Sequence, residues 1–294
     1  MRQIVIISGK GGTGKTVLAA SFVALAKNKV IVDCDVDAAD LHLLLHPTIK
    51  QRYEFRSGRT AKIDKKICEQ CGKCIVACRF SAIGGSAFGG NAISKDFTVD
   101  PISCEGCALC SNICPVNAIS MQESLSGEWF ISETKYGIFV HAKLGIAEEN
   151  SGKLVAKERE VAKDIAQKQN NDYVIIDGPP GIGCPVIASL SGVDFALIVT
   201  EPTLSAIHDM QRVMDVAGHF KISSKVVINK YDLNLKNTHE IEAICRDKQI
   251  EVLGQIPFSR KVSESIVKSL PIVECIKDGV SEEIISIWEK IERI

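Results

Sequence analysis

The stretch that decides the fold is Ile4-Val5-Ile6-Ile7-Ser8-Gly9-Lys10-Gly11-Gly12-Thr13-Gly14-Lys15-Thr16. An apolar run, with the look of a buried strand, feeds a glycine-rich octet, Gly9 to Thr16, that satisfies the pattern G-x4-G-K-S/T. Glycines let backbone N–H groups converge on phosphate oxygens, and the N-terminus of the helix that follows adds its dipole. In such a loop Lys15 reaches the β and γ phosphates of a nucleotide and the Thr16 hydroxyl holds Mg2+. Helical spacing over Gly14–Lys27 and an apolar run at Val30–Asp33 complete a strand–helix–strand unit. Such a unit pairs its strands in parallel through a right-handed crossover.

From about Gly58 to Glu123 the texture changes. Cys68, Cys71, Cys74 and Cys78 are spaced C-x2-C-x2-C-x3-C; Cys104, Cys107, Cys110 and Cys114 repeat the spacing 36 residues further on, and Pro115 follows. This is the ligand run of a bacterial ferredoxin with two [4Fe-4S] clusters, in which the fourth cysteine of each run ligates the other cluster. The expected ligand sets are therefore Cys68, Cys71, Cys74 and Cys114 for cluster 1, and Cys104, Cys107, Cys110 and Cys78 for cluster 2. Soft, anionic thiolates suit iron–sulfur cores; a four-cysteine zinc site is the alternative. Arg79 stands where the first run would usually carry proline, and a cation there favours the reduced cluster. The runs lie in an internal repeat, ICEQCGKCIVACRFSAI against SCEGCALCSNICPVNAI, which predicts two pseudo-symmetric halves. Gly84, Gly85, Gly89 and Gly90 crowd the link, and Arg79–Ser103 has room for an extra hairpin.

After Ser124 an alternation of short apolar runs and helical stretches returns. Strands are predicted over 129–134, 137–143, 173–177, 195–200, 225–229 and 251–257, and helices over 153–169, 203–217, 236–248 and 281–293. The fold class expected is α/β: a P-loop NTPase with a mostly parallel sheet and helices on both faces, interrupted by a small α+β ferredoxin-like insertion. The ATPase domain takes residues 1–57 and 124–294, the insertion 58–123. Val174-Ile175-Ile176-Asp177-Gly178-Pro179-Pro180-Gly181 is an apolar strand ending in a carboxylate; Asp177 acts on Mg2+ through water, and the Gly181 N–H is placed to meet the γ phosphate. Asp33-Cys34-Asp35-Val36-Asp37 ends the second strand, where Asp35 joins Thr16 and Asp177 as a Mg2+ candidate and Asp37 is equally well a helix cap. Asn229-Lys230-Tyr231-Asp232 follows a further strand and also resembles the guanine signature of GTPases.

Lys10 is a second lysine that the general motif does not require. With it, the sequence resembles the MinD/ParA/Mrp group of deviant P-loop ATPases, which includes the nitrogenase iron protein. The resemblance implies ATP and Mg2+ as ligands and an ATP-dependent homodimer, or a heterodimer with a paralogue. It implies three catalytic residues: Lys15, Lys10 crossing to the partner's nucleotide, and Asp35 orienting the attacking water. It also makes Asn229 the adenine contact, while Ile256-Pro257-Phe258 offers backbone contacts to the base. The whole nucleotide set is then Gly9, Lys10, Gly11, Gly12, Thr13, Gly14, Lys15, Thr16, Gly181, Asn229 and Pro257. Cys184 matches one ligand of the cluster that bridges the nitrogenase iron protein dimer, but no cysteine lies near Asn150-Ser151-Gly152 to supply the second. The C-terminal Cys-x-x-Cys of the Mrp branch is also missing.

Composition narrows the classes. Apolar residues are 46% and charged residues 24%, enough for a large core. A net charge of −1 and 5% aromatics argue against a nucleic-acid partner. No apolar stretch approaches a membrane span, and no signal peptide precedes the first strand. The expected location is cytoplasmic, where regularly spaced cysteines bind metal. MinD ends in an amphipathic membrane anchor; here the stripe Ile284, Ile287, Trp288, Ile291 and Ile294 has an acidic opposite face, so packing on its own domain is expected. Three functions remain: an ATP-switched carrier passing electrons through two clusters to or from a redox partner protein, a cluster assembly or carrier ATPase, and a MinD-like positioning ATPase.

Overall fold

The computed structural model describes residues 1–85, 97–145 and 151–294. Gly89, Gly90, Asn150 and the middle of the link between the cysteine runs therefore lie outside the described residues. The opening run is strand β1 (Arg2–Ser8), with Ile4, Val5, Ile6 and Ile7 fully buried. The other strands are β2 (Lys29–Asp33), β3 (Thr48–Ile63), β4 (Ile83–Gly85), β5 (Phe97–Val99), β6 (Ile119–Thr134), β7 (Gly137–Leu144), β8 (Tyr173–Pro180), β9 (Phe195–Thr200), β10 (Ser223–Asn229) and β11 (Val252–Ile256). Nine form one sheet in the order β11-β10-β9-β1-β8-β2-β7-β6-β3, and β4 pairs with β5 apart from it. Each step from β11 to β7 is parallel. The α/β fold with a mostly parallel sheet is thus as expected. Its central strands read as unbroken apolar runs because they are covered on both sides.

Parallel pairing brings the C-terminal ends of β1, β2, β8, β9 and β10 to one edge, where ligands of such sheets bind. The helix after β1 spans Lys15–Leu25 and buries Phe22. The last helix, Gly279–Arg293, is capped by Asp278, whose carboxylate accepts the N–H of Val280 at 3.1 Å. It buries Ile284, Ile287, Trp288 and Ile291 in the main core, with the Trp288 ring 5.3 Å from Phe22. Each such side chain contributes about 1.5–3 kcal/mol. Its apolar stripe is therefore covered by its own unit. Ile294, expected on that stripe, is exposed instead, one residue past the helix. No helix among the described residues is long and apolar enough to cross a membrane.

The edge of the sheet departs from expectation. β3 was not predicted at all, and β6 begins ten residues before the predicted Trp129. β3 reads TIKQRYEFRSGRTAKI and is largely exposed, so it lacks the alternation that marks a half-buried strand. Its charged side chains suit an edge, where they discourage pairing with another chain. Arg52 Nε donates to Glu128 Oε1 at 2.7 Å and the Tyr53 ring stacks on Trp129 at 4.1 Å, so side-chain pairs reinforce the pairing with β6.

The chain divides into two compact units: Met1–Tyr53 with Glu128–Lys143 and Ser151–Ile294, and Glu54–Gly127 with a piece that begins at Leu144. The second unit has its own core of Ala61, Ile83, Ile119, Cys74 and Cys110. Its halves match in backbone as well as sequence. Left-handed residues at Gln70 (φ 57°), Gly72 (73°) and Ser81 (53°) recur 36 residues on at Gly106 (64°), Ala108 (60°) and Asn117 (52°). Short helices Lys73–Ala77 and Leu109–Asn112 follow the second of each set. Asp64 N–H donates to Ala118 O, and Asp100 N–H to Ala82 O, both at 2.8 Å, so each half ties to the other in the same way.

On β7, His141 is stacked 4.5 Å from Phe139, with Nε2 2.9 Å from the Ser132 hydroxyl. Burial, helped by His42, pushes its pKa down to about 4. The unfolded chain then takes up a proton below about pH 6.5 that the folded chain resists, so stability falls as pH drops through this window, by up to about 3 kcal/mol near pH 4. Urea unfolding of wild type and His141→Phe at pH 7 and pH 5 checks this: the variant is expected to lose less stability over that interval.

Candidate functional site

The octet turns from the end of β1 into the helix at Lys15. Gly14 holds φ 96°, and a Cβ there would lie 2.4 Å from Asn229 Nδ2; a Cβ on Gly9 would lie 2.4 Å from Asp209 Cβ. These two positions therefore require glycine. Lys15 is 5% exposed at the helix start. The loop opens on a cavity of about 670 Å³, lined by Gly11, Lys15, Thr16, Asp35, Asn229 and Phe258 among others. That is the size of a nucleotide-scale pocket.

Across from Lys15 stand the carboxylates of β2 and β8. Asp177 is 1% exposed and its Oδ1 is buried, with no hydrogen-bond partner among the described residues. Burial pushes its pKa up to about 7, against the pull of Lys15 and of the Thr16 hydroxyl hydrogen-bonded to it. Burial also raises Asp35, again opposed by Lys15. Asp33 is fully buried and receives the N–H groups of Asp35 and Leu41, both at 3.2 Å, so it shapes the turn that presents Asp35. Thr16, Asp35 and Asp177 are hard oxygen donors beside a phosphate loop, and the orphaned Asp177 oxygen lacks the partner that a hydrated Mg2+ would supply. The donor set fits that ion.

Three expected ligand contacts are engaged within the chain. The Gly181 N–H donates to Ser8 O at 2.9 Å rather than facing the cavity, because β8 runs on to Pro180, which pairs with Ser8 after a one-residue shift in register. Asn229 lines the cavity, but its Nδ2 donates to Thr13 O at 2.7 Å and braces the loop. Lys10 is 2.6 Å from Glu201 Oε1. Pro257 lines the cavity between Ile256 and Phe258, and the Phe258 N–H donates to Asp232 Oδ1 at 2.7 Å. One oxygen of the guanine-type aspartate is thus occupied by backbone. Sequence reasoning missed Glu201; its signal was its place directly after β9, at the ligand edge of a parallel sheet. It also missed Glu158, wholly buried in the helix Ser151–Lys168 with both oxygens unpaired and its pKa raised well above normal by burial.

In the second unit the eight spaced cysteines surround two separate cavities. One, a narrow space of about 20 Å³, is lined by Cys68, Cys71, Cys74 and Cys114. The other, also of about 20 Å³, is lined by Cys104, Cys107, Cys110 and Cys78. The last cysteine of each run thus crosses to the cavity of the other. All eight are free thiols. Among the described residues no three His, Cys, Asp or Glu side chains converge as they would on one metal ion. A cubane takes its thiolates at separate iron corners, so its ligands ring a space instead of meeting at a point. Cys184 is exposed, Cys34 and Cys245 are buried and Cys275 is half-buried.

The CobQ/CobB/MinD/ParA nucleotide binding domain matches residues 4–272. The Methanocaldococcus jannaschii protein MJ0578 is 34% identical over 99% of this chain and 96% of its own length. The septum site-determining protein MinD of Buchnera aphidicola is 22% identical over 92% of this chain and 84% of its own. Among solved structures, the Pyrococcus furiosus cell division ATPase MinD superposes with a TM-score of 0.58 at 18% identity, covering 99% of this chain and 98% of that one. Pyrococcus horikoshii MinD in complex with Mg-ADP gives the same TM-score and identity, over 99% and 96%. At these identities the superpositions establish the fold.

Proposed function

Since the chain belongs to the CobQ/CobB/MinD/ParA nucleotide-binding family, we propose that it is an ATP-hydrolysing switch of the MinD type. ATP and Mg2+ bind at the cavity over β1, two chains close on their nucleotides, and hydrolysis releases them. The observation that carries this is the phosphate loop opening on a nucleotide-sized cavity, with buried Lys15 facing Asp35 and the unpaired Asp177 oxygen. Lys15 neutralises the β and γ phosphates; Thr16, Asp35 and Asp177 would hold Mg2+; and Asp35 orients the attacking water and accepts its proton. Mg2+ held there would supply charge neutralisation to the β and γ phosphates. The apolar pocket at Ile256, Pro257 and Phe258, with Asp232 held by backbone, favours adenine over guanine. The Buchnera aphidicola relative is a septum site-determining protein, which favours a MinD-like positioning role over electron transfer.

Lys10→Ala tests the switch. Nucleotide affinity is expected to stay within about twofold, because Lys10 acts on the partner's nucleotide, while ATP-dependent dimerisation is lost and hydrolysis drops by about 10²-fold or more. Light scattering with a non-hydrolysable ATP analogue and phosphate release read the two effects. A variant that dimerises and turns over like wild type points to an ordinary monomeric P-loop enzyme.

A second reading is favoured by the unit of residues 54–127. Two four-cysteine cavities, with the fourth ligand exchanged between pseudo-symmetric halves, are what a two-cluster ferredoxin insertion requires. On this reading the ATPase switch governs electron transfer between the clusters and a partner protein. A carrier role differs in one measurement: clusters that pass electrons stay bound when apo acceptor protein and ATP are added, whereas cargo clusters leave.

A further inference from the structure

Lys10, Glu201 and Lys230 come from the ends of three neighbouring strands, β1, β9 and β10. The Glu201 side chain is 11% exposed and each of its oxygens holds a different ammonium: Oε1 takes Lys10 Nζ at 2.6 Å and Oε2 takes Lys230 Nζ at 2.8 Å. Lys230 Nζ also donates to Gly12 O at 3.1 Å, tying the cluster to the phosphate loop. The backbone fixes the carboxylate in place: Pro202 follows it, and the Thr203 N–H donates to Glu201 O at 2.8 Å before the helix Leu204–His219 begins. Burial would raise the Glu201 pKa, but the two ammonium groups outweigh it and hold the carboxyl below its ordinary range. Lys10 cannot reach a partner's nucleotide while it is held by Glu201 of its own chain.

We infer that Glu201 is a resting dock for Lys10, shared with Lys230, and that release of Lys10 from it sets the threshold for ATP-dependent closure of the dimer. This rests on the reading of Lys10 as the lysine that crosses to the partner. Because one carboxylate serves two cations, Lys230 weakens the hold on Lys10. The two partners therefore have opposite effects when removed. Loss of Glu201 frees Lys10, whereas loss of Lys230 leaves Lys10 the sole cation on the carboxylate.

The test is a dilution series of the full chain with a saturating non-hydrolysable ATP analogue, followed by light scattering, with nucleotide affinity titrated separately. Glu201→Gln is expected to lower the protein concentration at half-dimerisation about tenfold. Lys230→Gln is expected to raise it severalfold, and the double variant to behave like Glu201→Gln. Acetylation of Lys10 in the nucleotide-free monomer, read by mass spectrometry, is expected to be faster in Glu201→Gln and slower in Lys230→Gln. If Lys10→Ala abolishes dimerisation while Glu201→Gln leaves both the threshold and the labelling of Lys10 unchanged, the dock is wrong and the crossing lysine stands. If Lys10→Ala dimerises normally, the crossing lysine is itself wrong and the dock falls with it. Should Glu201→Gln fail to fold, Lys230→Gln decides: an unchanged or lowered threshold overturns the proposal.

Discussion

Protein purified without oxygen is expected, on the ferredoxin reading of the second unit, to contain about eight iron and eight acid-labile sulfide per chain, as two complete cubanes would demand. Pairs of cysteine variants test how the ligands are shared. Cys71 and Cys114 line one cavity, so Cys71→Ala with Cys114→Ala removes ligands from a single cluster and leaves about four iron. Cys71 and Cys78 line different cavities, so Cys71→Ala with Cys78→Ala damages both clusters and leaves little iron. Were each run to bind its own cluster, the two double variants would exchange results. Stoichiometric zinc with little sulfide would remove the ferredoxin reading altogether. The measurement needs only metal and sulfide analysis, and is independent of any redox partner.

Lys15→Ala is expected to weaken nucleotide binding about 100-fold or more, the largest effect of any single change in the phosphate loop. The lysine is buried at the helix start and faces the β2 and β8 carboxylates. Its removal takes a cation from the phosphates and also from Asp35 and Asp177, whose pKa values burial already raises. Magnesium affinity is therefore expected to fall with it. Asp35→Asn is expected to separate from this: nucleotide binding and closure remain, while hydrolysis slows by about 10²- to 10⁴-fold for want of an acceptor for the water proton. Binding titration and phosphate release distinguish the variants. Equal loss of binding in both would mean that Asp35 serves chiefly to hold the metal.

The parts of this chain that were legible in its sequence are those in which one local pattern has one physical cause. Ile4–Ile7 must be a buried strand because a four-residue apolar run before a glycine octet has no other stable place. Gly14 must be glycine because a positive φ and Asn229 together leave no room for a Cβ. The cysteine runs are legible as a repeat for the same reason, since equal spacing comes with left-handed turns that recur 36 residues apart. β3 was illegible because an exposed strand of mixed charge has no periodic face. Asn229 and Gly181 were assigned to ligand by position, whereas their hydrogen bonds go to Thr13 and Ser8, loop partners that no local window contains. Glu201 offered only its place after β9, because its importance lies in Lys10 and Lys230, neither of them its neighbour in the chain.

The bond from Gly181 N–H to Ser8 O bears on how such a site tells a triphosphate from a diphosphate. The donor is already satisfied by a neutral carbonyl at 2.9 Å, so an approaching ligand gains only the difference between two acceptors. A second neutral acceptor offers almost nothing. A phosphate oxygen carrying charge makes a hydrogen bond roughly twice as strong and can capture the N–H. Gly181, at φ 92°, sits in a backbone region that a glycine can enter and leave with little steric hindrance. If the site binds ATP as proposed, the segment would act as a comparator, changing partner only when the third phosphate is present and returning to Ser8 when it departs.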